Sequence, residues 1–160
     1  MVGSVAAEVR EARDDELEAL AALRWQWVRE SSDEPLPELG AYAAEAAGWA
    51  RAHRDSHVPF VAVEAGRVVG MAWLAIQSRV PSPRAIERRS GDLQSCYVVP
   101  EARGRGIGAR LADAVLASAR ERGLEHVTVH ASERSIPVYE RAGFRSNPRA
   151  LWAEGAIPER

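Results

Sequence analysis

Hydrophobic spacing in the first third of the chain predicts one strand and two helices. Residues 5–10 have the short apolar pattern of an opening strand. The next apolar residues share one face of a helix: Leu17, Leu20, Leu23 and Trp27. Asp15 and Glu18 offer this helix a capping box. The Ala-rich segment 38–54 predicts a second helix, and the proline-containing residues 31–37 separate the two.

The middle of the chain has the spacing of β-strands. Residues 60–64 and 68–77 predict two strands, and the Ala-Gly-Arg segment between them predicts a tight turn, so the two strands should be antiparallel. Residues 78–91 contain two prolines and four arginines and predict a surface loop. Residues 92–98 then predict a central strand.

The last third alternates helix and strand. Apolar and small residues recur at helical spacing at Ile107, Leu111, Ala114, Val115 and Ser118. Residues 127–129 predict a strand, and Ser135 and Gly143 suit the two caps of a short helix. Residues from 144 onward, and then 150–153, predict closing strands. The predicted order is therefore β-α-α-β-β-β-α-β-α-β-β.

Composition narrows the class of protein. A chain of 160 residues with 46% hydrophobic residues can bury one core, so we expect a single domain over residues 1–160. The formal charge of −2 argues against nucleic acid as a partner. One cysteine excludes an internal disulfide, and the sequence has no apolar run of signal-peptide or membrane-spanning type, so we expect a cytoplasmic protein without a membrane partner.

The junction at residues 96–111, CYVVPEARGRGIGARL, joins an apolar strand to an amphipathic helix through a turn rich in Arg and Gly. Such a turn brings free backbone N–H groups, a helix N-terminus and guanidinium charges together. These groups together favour binding of a phosphate group, and the glycine spacing here favours a pyrophosphate.

Other phosphate loops fit this junction less well. A Walker loop needs Lys and then Ser or Thr after its last glycine, but Ala109 and Arg110 stand there. Gly104 and Gly106 fit the loose dinucleotide pattern, but residues 128–131 lack the acidic residue that it requires. A simple connecting turn needs one glycine rather than three at alternate positions.

Arg103, Gly106 and Gly108 have the spacing R/QxxGxG/A, after a strand that ends in Val-Val-Pro. Here the chain resembles the GNAT superfamily of acyl-CoA N-acyltransferases, whose central loop has this pattern and grips the pyrophosphate of coenzyme A. The resemblance implies an α/β GNAT fold with a mixed sheet of about six to seven strands and helices on both faces. It implies cofactor-binding roles for Val98, Arg103, Gly104, Arg105, Gly106, Ile107 and Gly108.

A second motif, HASERSIPVYERAGF, covers residues 130–144. Tyr139 stands four residues before a Gly-Phe pair. At this position, family members carry a Tyr that points at the thioester sulfur. The resemblance therefore implies that Tyr139 donates a proton to the leaving thiolate. Seven residues before this Tyr, many members carry an Asn that holds the pantetheine amide. Ser132 stands there in this chain, and it either makes the same contact or caps the turn.

Amine attack on a thioester also needs a group that polarises the carbonyl and a base. The strand before the loop should splay from its neighbour, and by position the Val98 N–H becomes the donor to the carbonyl. By strict alternation, Asp92 lies on the same strand face as Gln94, Cys96 and Val98. Asp92 is therefore a candidate base, although it also suits a turn after Gly91.

Three other groups are weaker candidates for chemistry. Glu64 is a weaker candidate base, because it ends its strand beside a hairpin where a carboxylate is usually solvated. Cys96 is a weaker candidate for an acyl-carrying nucleophile, because a solitary Cys in an apolar strand is most often a small core residue. His126 and His130 bracket the next strand without metal-ligand spacing, although His130 is close enough to be a secondary candidate base.

The acceptor is left open by the sequence. One wall of the acceptor site should be formed by Trp25, Trp27, Trp49 and the loop at residues 31–38. The net negative charge of this region favours a cationic amine as the acceptor, and it comes from Glu30, Asp33, Glu34 and Glu38. Four arginines on the opposite loop favour a carboxylate-bearing acceptor instead: Arg79, Arg84, Arg88 and Arg89.

The sequence therefore predicts an N-acetyltransferase that uses acetyl-CoA as cosubstrate, needs no metal and transfers the acetyl group directly to a primary amine of a small molecule or peptide. The alternative is a non-catalytic acyl-CoA-binding module, which would keep residues 103–108 and dispense with Tyr139. A homodimer is compatible with either interpretation.

Overall fold

The structure is a computed structural model and describes residues 5–155. Within these residues lie five strands and four α-helices, in the order β1 (Glu8–Glu11), α1 (Leu17–Ser31), α2 (Leu39–Ala52), β2 (His57–Glu64), β3 (Arg67–Ser78), β4 (Arg89–Val98), α3 (Ile107–Glu121), β5 (Val127–Val129) and α4 (Ile136–Ala142). Short 3₁₀ turns at Asp14–Glu16 and Pro100–Ala102 precede α1 and α3. No helix of this part of the chain is long and apolar enough to cross a membrane.

The strands form one mixed sheet in the order β1-β2-β3-β4-β5. The first four strands pair antiparallel, whereas β5 pairs parallel with β4 after the α3 crossover. The predicted hairpin between β2 and β3 is confirmed. Its turn places Ala65 at φ +49° and Gly66 at φ +75°, the positive values that a tight two-residue hairpin needs.

The helices cover opposite faces of the sheet. Leu17, Ala47 and Ala50, from α1 and α2, pack against Trp73 of β3. On the other side, the space above Gly70 of β3 is closed by Leu111 of α3. We call these sides the α1/α2 face and the α3/α4 face. The core thus consists of two apolar layers, one on each face of β2, β3 and β4.

The start of the first helix differs from the prediction. Asp15 and Glu18 do not form the expected capping box. Instead, the Glu16 carboxylate accepts a hydrogen bond from the Arg13 backbone N–H at 2.8 Å and from Arg10 Nη1 at 2.7 Å. The Arg10 hydrogen bond is the main cause that lowers the pKa of Glu16. Glu16 therefore joins β1 to the first turn, a contact that depends on the folded strand and not on local spacing.

The predicted loop at residues 78–91 is shorter than expected. Ser78 pairs with Arg89, so β3 and β4 form one long hairpin and only residues 79–88 lie outside the ladder. Ser90 and Gly91 belong to β4 although neither residue type favours strands. Both pair with β3, and Ser90 is buried, so tertiary contacts outweigh the local preference.

The closing strands predicted after residue 143 do not occur in the described part of the chain. The sheet therefore has five strands rather than six to seven, and the observed order ends at α4. The physical reason is local. Pro148 lacks a backbone donor, and a turn forms around Asn147, whose Oδ1 accepts the Arg149 N–H at 2.9 Å and whose carbonyl accepts the Ala150 N–H at 3.1 Å.

Gly91 tests the packing of the α3/α4 face. A Cβ at this position would lie 2.7 Å from Leu74 Cδ1 and 3.1 Å from Leu124 Cδ1. Gly91→Ala should therefore lower the free energy of unfolding by about 1–3 kcal/mol through overpacking. Denaturant titration measures the change. In the control Gly48→Ala, on α2, the added methyl meets nothing within 4 Å and should be neutral or stabilising. Equal stability of both variants would contradict this account.

Candidate functional site: the open edge of β4

The sheet opens between β4 and β5. Their parallel pairing covers only Gly91–Val127, Asp92–Thr128 and Leu93–Val129. β5 then ends, while β4 continues to Val98. From Gln94 onward, one edge of β4 has no neighbouring strand within the described residues. An extended molecule can therefore pair with this edge as an additional strand.

A β-bulge lies at the start of this open edge. Ser95 and Cys96 together stand opposite a single residue of β3, Ala72, and Ser95 has φ +53°. The extra residue inverts the alternation of the strand. Asp92 and Gln94 lie on the α1/α2 face, as their partners on β3 do, whereas Val98 pairs with Gly70 on the α3/α4 face. The predicted common face is therefore wrong, because strict alternation cannot anticipate a bulge.

Val98 has its backbone directed to the open edge. The adjacent Val99 N–H donates to Val69 O of β3 at 2.9 Å, so by alternation the Val98 peptide groups point the other way. The Val98 carbonyl accepts a hydrogen bond from Arg103 Nε at 2.9 Å. The Val98 N–H, which the sequence predicts as the donor to the thioester carbonyl, therefore lies at the open edge. The Val98 side chain packs against the core.

The loop before α3 offers unused backbone donors. Gly104 and Gly106 have φ +79° and +78°, and a Cβ on either would meet nothing within 4 Å. Within residues 5–155, the backbone N–H groups of positions 104–109 donate no hydrogen bond, and the first N–H of α3 that does is that of Arg110, to Gly106 O at 3.1 Å. Buried Ile107 anchors this turn in the core. The loop thus has the free donors and the open approach that a phosphate group requires.

The two arginines of this loop are paired with carboxylates. Arg103 Nη2 lies 3.0 Å from Glu30 Oε2 at the end of α1, and Arg105 Nη1 lies 2.8 Å from Glu64 Oε2. Tyr97 also donates a hydrogen bond to Glu30, and this bond is the main cause that lowers the pKa of the Glu30 carboxyl. Glu64, a candidate base by sequence, is thus the partner of Arg105. Glu30 instead joins α1 to β4 and to the loop.

Tyr139 reaches β4 from the α3/α4 face. The helix that carries it has Pro137 in its first turn and ends at Gly143 with φ +108°, as expected, although the Ser135 side chain makes no capping hydrogen bond. The Tyr139 hydroxyl and the Cys96 thiol lie beside each other. Burial raises the pKa of the Cys96 thiol to about 11 and also raises the pKa of Tyr139. Both groups therefore keep their protons at neutral pH, and Cys96 is not an activated nucleophile.

Asp92 lies at the last paired residues of β4 and β5. Its carboxylate accepts hydrogen bonds from Thr128 Oγ1 at 2.7 Å and from Gln94 Nε2 at 3.0 Å. It is a strand residue rather than a turn residue. The Asp92 side chain thus lies on the α1/α2 face of β4, whereas Tyr139 lies on the α3/α4 face.

Ser132 lies at the turn before α4. Its hydroxyl is 3.0 Å from Ser135 Oγ, and its carbonyl accepts the backbone N–H groups of Ser135 and Ile136. The side chain is exposed. Ser132 therefore takes part in the turn and keeps an accessible hydroxyl.

On the α1/α2 face, a cavity of about 270 Å³ lies next to the bulge. Of the three tryptophans predicted to wall the acceptor site, Trp49 lines this cavity, whereas Trp27 stacks on Tyr97 and Trp25 donates to Pro37 O at 3.0 Å. No acidic residue is among the residues that line it: Leu17, Leu20, Ala21, Arg24, Tyr42, Ala46, Trp49, Ala50, His57, Trp73, Gln94 and Ser95. Glu30, Asp33, Glu34 and Glu38, the acidic residues predicted near the acceptor, are therefore not part of this cavity.

Several of the charged residues predicted for the acceptor site have other partners. Glu38 caps α2 by accepting the backbone N–H groups of Gly40 and Ala41. On the opposite loop, Arg79 and Arg88 both pair with Glu125. Sequence reasoning missed Arg24, Tyr42, His57 and Trp73, because they converge from four different elements and share no motif. Among residues 5–155, no group of three His, Cys, Asp or Glu side chains that could hold a metal ion occurs.

Comparison with known proteins agrees with this geometry. Residues 16–144 match the Acetyltransferase (GNAT) family. The chain belongs to this family. The matched range contains the loop before α3 and Tyr139, the two motifs on which the resemblance was based.

A sequence relative of this GNAT chain is a glucosamine 6-phosphate N-acetyltransferase from Trypanosoma brucei brucei, 36% identical over 64 residues. The match covers 40% of this chain and 44% of the relative, so the chain spans less than half of the length of that protein.

Solved structures share the GNAT fold. An acetyltransferase from Trypanosoma brucei has a TM-score of 0.69 and 28% identity, over 92% of this chain and 99% of that one. A protein described as a predicted acetyltransferase, from Clostridium acetobutylicum and crystallised with acetyl-CoA, has a TM-score of 0.73 and 22% identity, over 92% and 96% of the two chains. At that identity, the second likeness shows the fold alone.

Proposed function

We propose that this GNAT protein is an acetyl-CoA-dependent N-acetyltransferase that transfers an acetyl group directly to a primary amine of a small molecule or peptide. One observation carries the proposal: unused backbone donors before α3 and a protonated Tyr139 hydroxyl flank the same open edge of β4. The family match and the relative named as an N-acetyltransferase support it.

The residues present fit acetyl-CoA, which supplies the activated acyl group as a thioester. The N–H groups of Gly104, Arg105, Gly106, Ile107 and Gly108 bind the pyrophosphate, helped by the dipole of α3. Arg103 and Arg105 lie beside this loop, and each adds to the attraction when it exchanges its carboxylate partner for a phosphate oxygen. The open edge of β4 hydrogen-bonds the pantetheine arm, and the exposed Ser132 hydroxyl reaches its amide.

Val98 and Tyr139 stabilise the charge that develops on the donor. The Val98 N–H polarises the thioester carbonyl, where negative charge builds up during amine attack. The Tyr139 hydroxyl then donates a proton to the departing thiolate. Burial raises its pKa, so the phenol carries its proton at neutral pH and the proton is present at the hydroxyl when the thiolate leaves.

Asp92 is the proposed base for the amine. It lies on the α1/α2 face, the side opposite to Tyr139, so base and acid approach the reacting atoms from different directions. Its carboxylate already accepts hydrogen bonds from Thr128 and Gln94, and it takes the amine proton through water. The alternative function, a non-catalytic acyl-CoA-binding module, would need the loop but neither Tyr139 nor Asp92.

Gly106→Val tests the phosphate loop. A side chain at φ +78° is strained and blocks the approach to the backbone N–H groups. The loss of one or two charge-assisted hydrogen bonds should weaken coenzyme A binding by roughly tenfold to a hundredfold. Calorimetry measures the affinity. Gly123→Val carries similar strain at φ +69° behind α3 and should retain the affinity. Equal affinities of the two variants would exclude the loop as the phosphate site.

Tyr139→Phe tests the acid. The ring and its packing on Phe144 survive, so acetyl-CoA affinity should be retained. Turnover should fall by about a hundredfold, the lower end of what a positioned proton donor contributes. An acetyl thioester of a more acidic thiol should restore much of the rate, since its thiolate leaves without protonation. Full activity of the variant with acetyl-CoA would refute the acid role.

Asp92→Asn tests the base. Turnover at neutral pH should drop by about a hundredfold, and the acidic limb of the rate profile, where a carboxylate base is protonated, should disappear. Coenzyme A affinity should not change. Asp113→Asn, an exposed carboxylate on α3, serves as the charge control and should behave as wild type. If Asp92→Asn also keeps wild-type turnover, Asp92 only holds β4 to β5.

A further inference from the structure

The cavity on the α1/α2 face has a definite position relative to the proposed chemistry. Gln94 and Ser95, at the bulge of β4, are among its lining residues. Tyr139 and Cys96 lie behind the same strand segment, on the α3/α4 face. A molecule in this cavity therefore meets the open edge of β4 from the side opposite to the proton donor.

The walls of the cavity are aromatic and aliphatic. Tyr42 and Trp49 come from α2, and Trp73 comes from β3. Leu17 and Leu20 of α1 are almost fully buried beneath it. Flat aromatic groups pack favourably on such walls, because ring pairs add attraction to the burial of apolar area. A volume of about 270 Å³ is below the usual range for drug-sized ligands, so one ring system fills it.

The charges at the cavity are positive or neutral. Arg24 is its one permanently charged lining residue. The guanidinium of Arg24 stacks on Trp27, with 4.6 Å from Cζ to the ring centroid, and it has no carboxylate partner among the described residues. Burial and the nearby His53 lower the pKa of His57, so this ring is neutral at pH 7. The N–H groups of Arg24 are thus available to an anionic group.

We propose that this cavity binds the acceptor, and that the acceptor is a small primary amine with an aromatic ring and a carboxylate, such as an aromatic amino acid. The ring lies between Tyr42, Trp49 and Trp73, and the carboxylate faces Arg24. This inference rests on the proposed N-acetyltransferase function. The lack of acidic lining residues speaks against a polyamine, because its additional cations would find no partner here.

A panel of amines with acetyl-CoA tests the acceptor class through thiol release. L-Phenylalanine has the ring and the carboxylate, phenethylamine the ring alone, L-alanine the carboxylate alone, and cadaverine neither. Glucosamine 6-phosphate, the substrate in the name of the relative, is anionic without an aromatic ring. We expect kcat/KM to be greatest for L-phenylalanine and smallest for cadaverine. A preference for L-alanine, cadaverine or glucosamine 6-phosphate would overturn the proposal.

Two pairs of variants locate the binding mode. Arg24→Gln should raise the KM for L-phenylalanine about tenfold and leave that for phenethylamine nearly unchanged, since a charge-assisted hydrogen bond is lost only with the first. Arg29→Gln, on the same helix but outside the cavity, is its control.

Ala46→Phe fills the cavity and should abolish acceptor binding. Its control is Ala44→Phe, which lies on an exposed face of α2 and should retain acceptor binding. Equal effects within either pair would contradict the assigned site.

Equilibrium binding separates this inference from the proposed function. Saturation-transfer NMR measures L-phenylalanine binding to the coenzyme A-loaded protein without any turnover. Binding that Ala46→Phe removes supports the pocket even if no amine is acetylated, in which case the enzymatic proposal fails alone. Acetylation of other amines without L-phenylalanine binding would overturn the acceptor class and leave the N-acetyltransferase proposal intact.

Discussion

The separation of β4 from β5 is the constraint on which the site depends. The two strands pair over only three residues each, and the bulge at Ser95 and Cys96 begins just where the pairing ends. A fully paired β5 would use the backbone groups of β4 from Gln94 onward in the sheet. Because they are not used, β4 has both a buried edge on β3 and an open edge for a ligand.

The bulge also divides the candidate site residues between the two faces of the sheet. Without the extra residue, Val98 would lie on the same face of the sheet as Asp92, because every second side chain of β4 would point to the same face. With it, Cys96 meets Tyr139 on the α3/α4 face, and Gln94 and Asp92 lie on the α1/α2 face. Tyr139 and the cavity on the α1/α2 face are thus separated by a single strand, an arrangement that would suit the proposed transfer between two molecules.

Glu30 connects α1 to β4 and to the loop before α3. It accepts hydrogen bonds from Tyr97 and Arg103, while Arg103 also donates to the Val98 carbonyl. One carboxylate at the end of α1 therefore fixes the position of an arginine whose backbone begins the loop. The loop does not depend on free arginine side chains, because its unused donors are backbone N–H groups.

The sequence by itself determined the local features. The hairpin at Ala65 and Gly66, the helical face of α3 and the glycine caps were readable because each depends on nearby residues. The loop spacing and Tyr139 also identified the family. Only the tertiary structure decided the strand number, the face of Asp92 and the composition of the cavity on the α1/α2 face. These depend on the bulge, on a turn at Asn147 and on contacts between distant elements, which period-two and helical patterns do not encode.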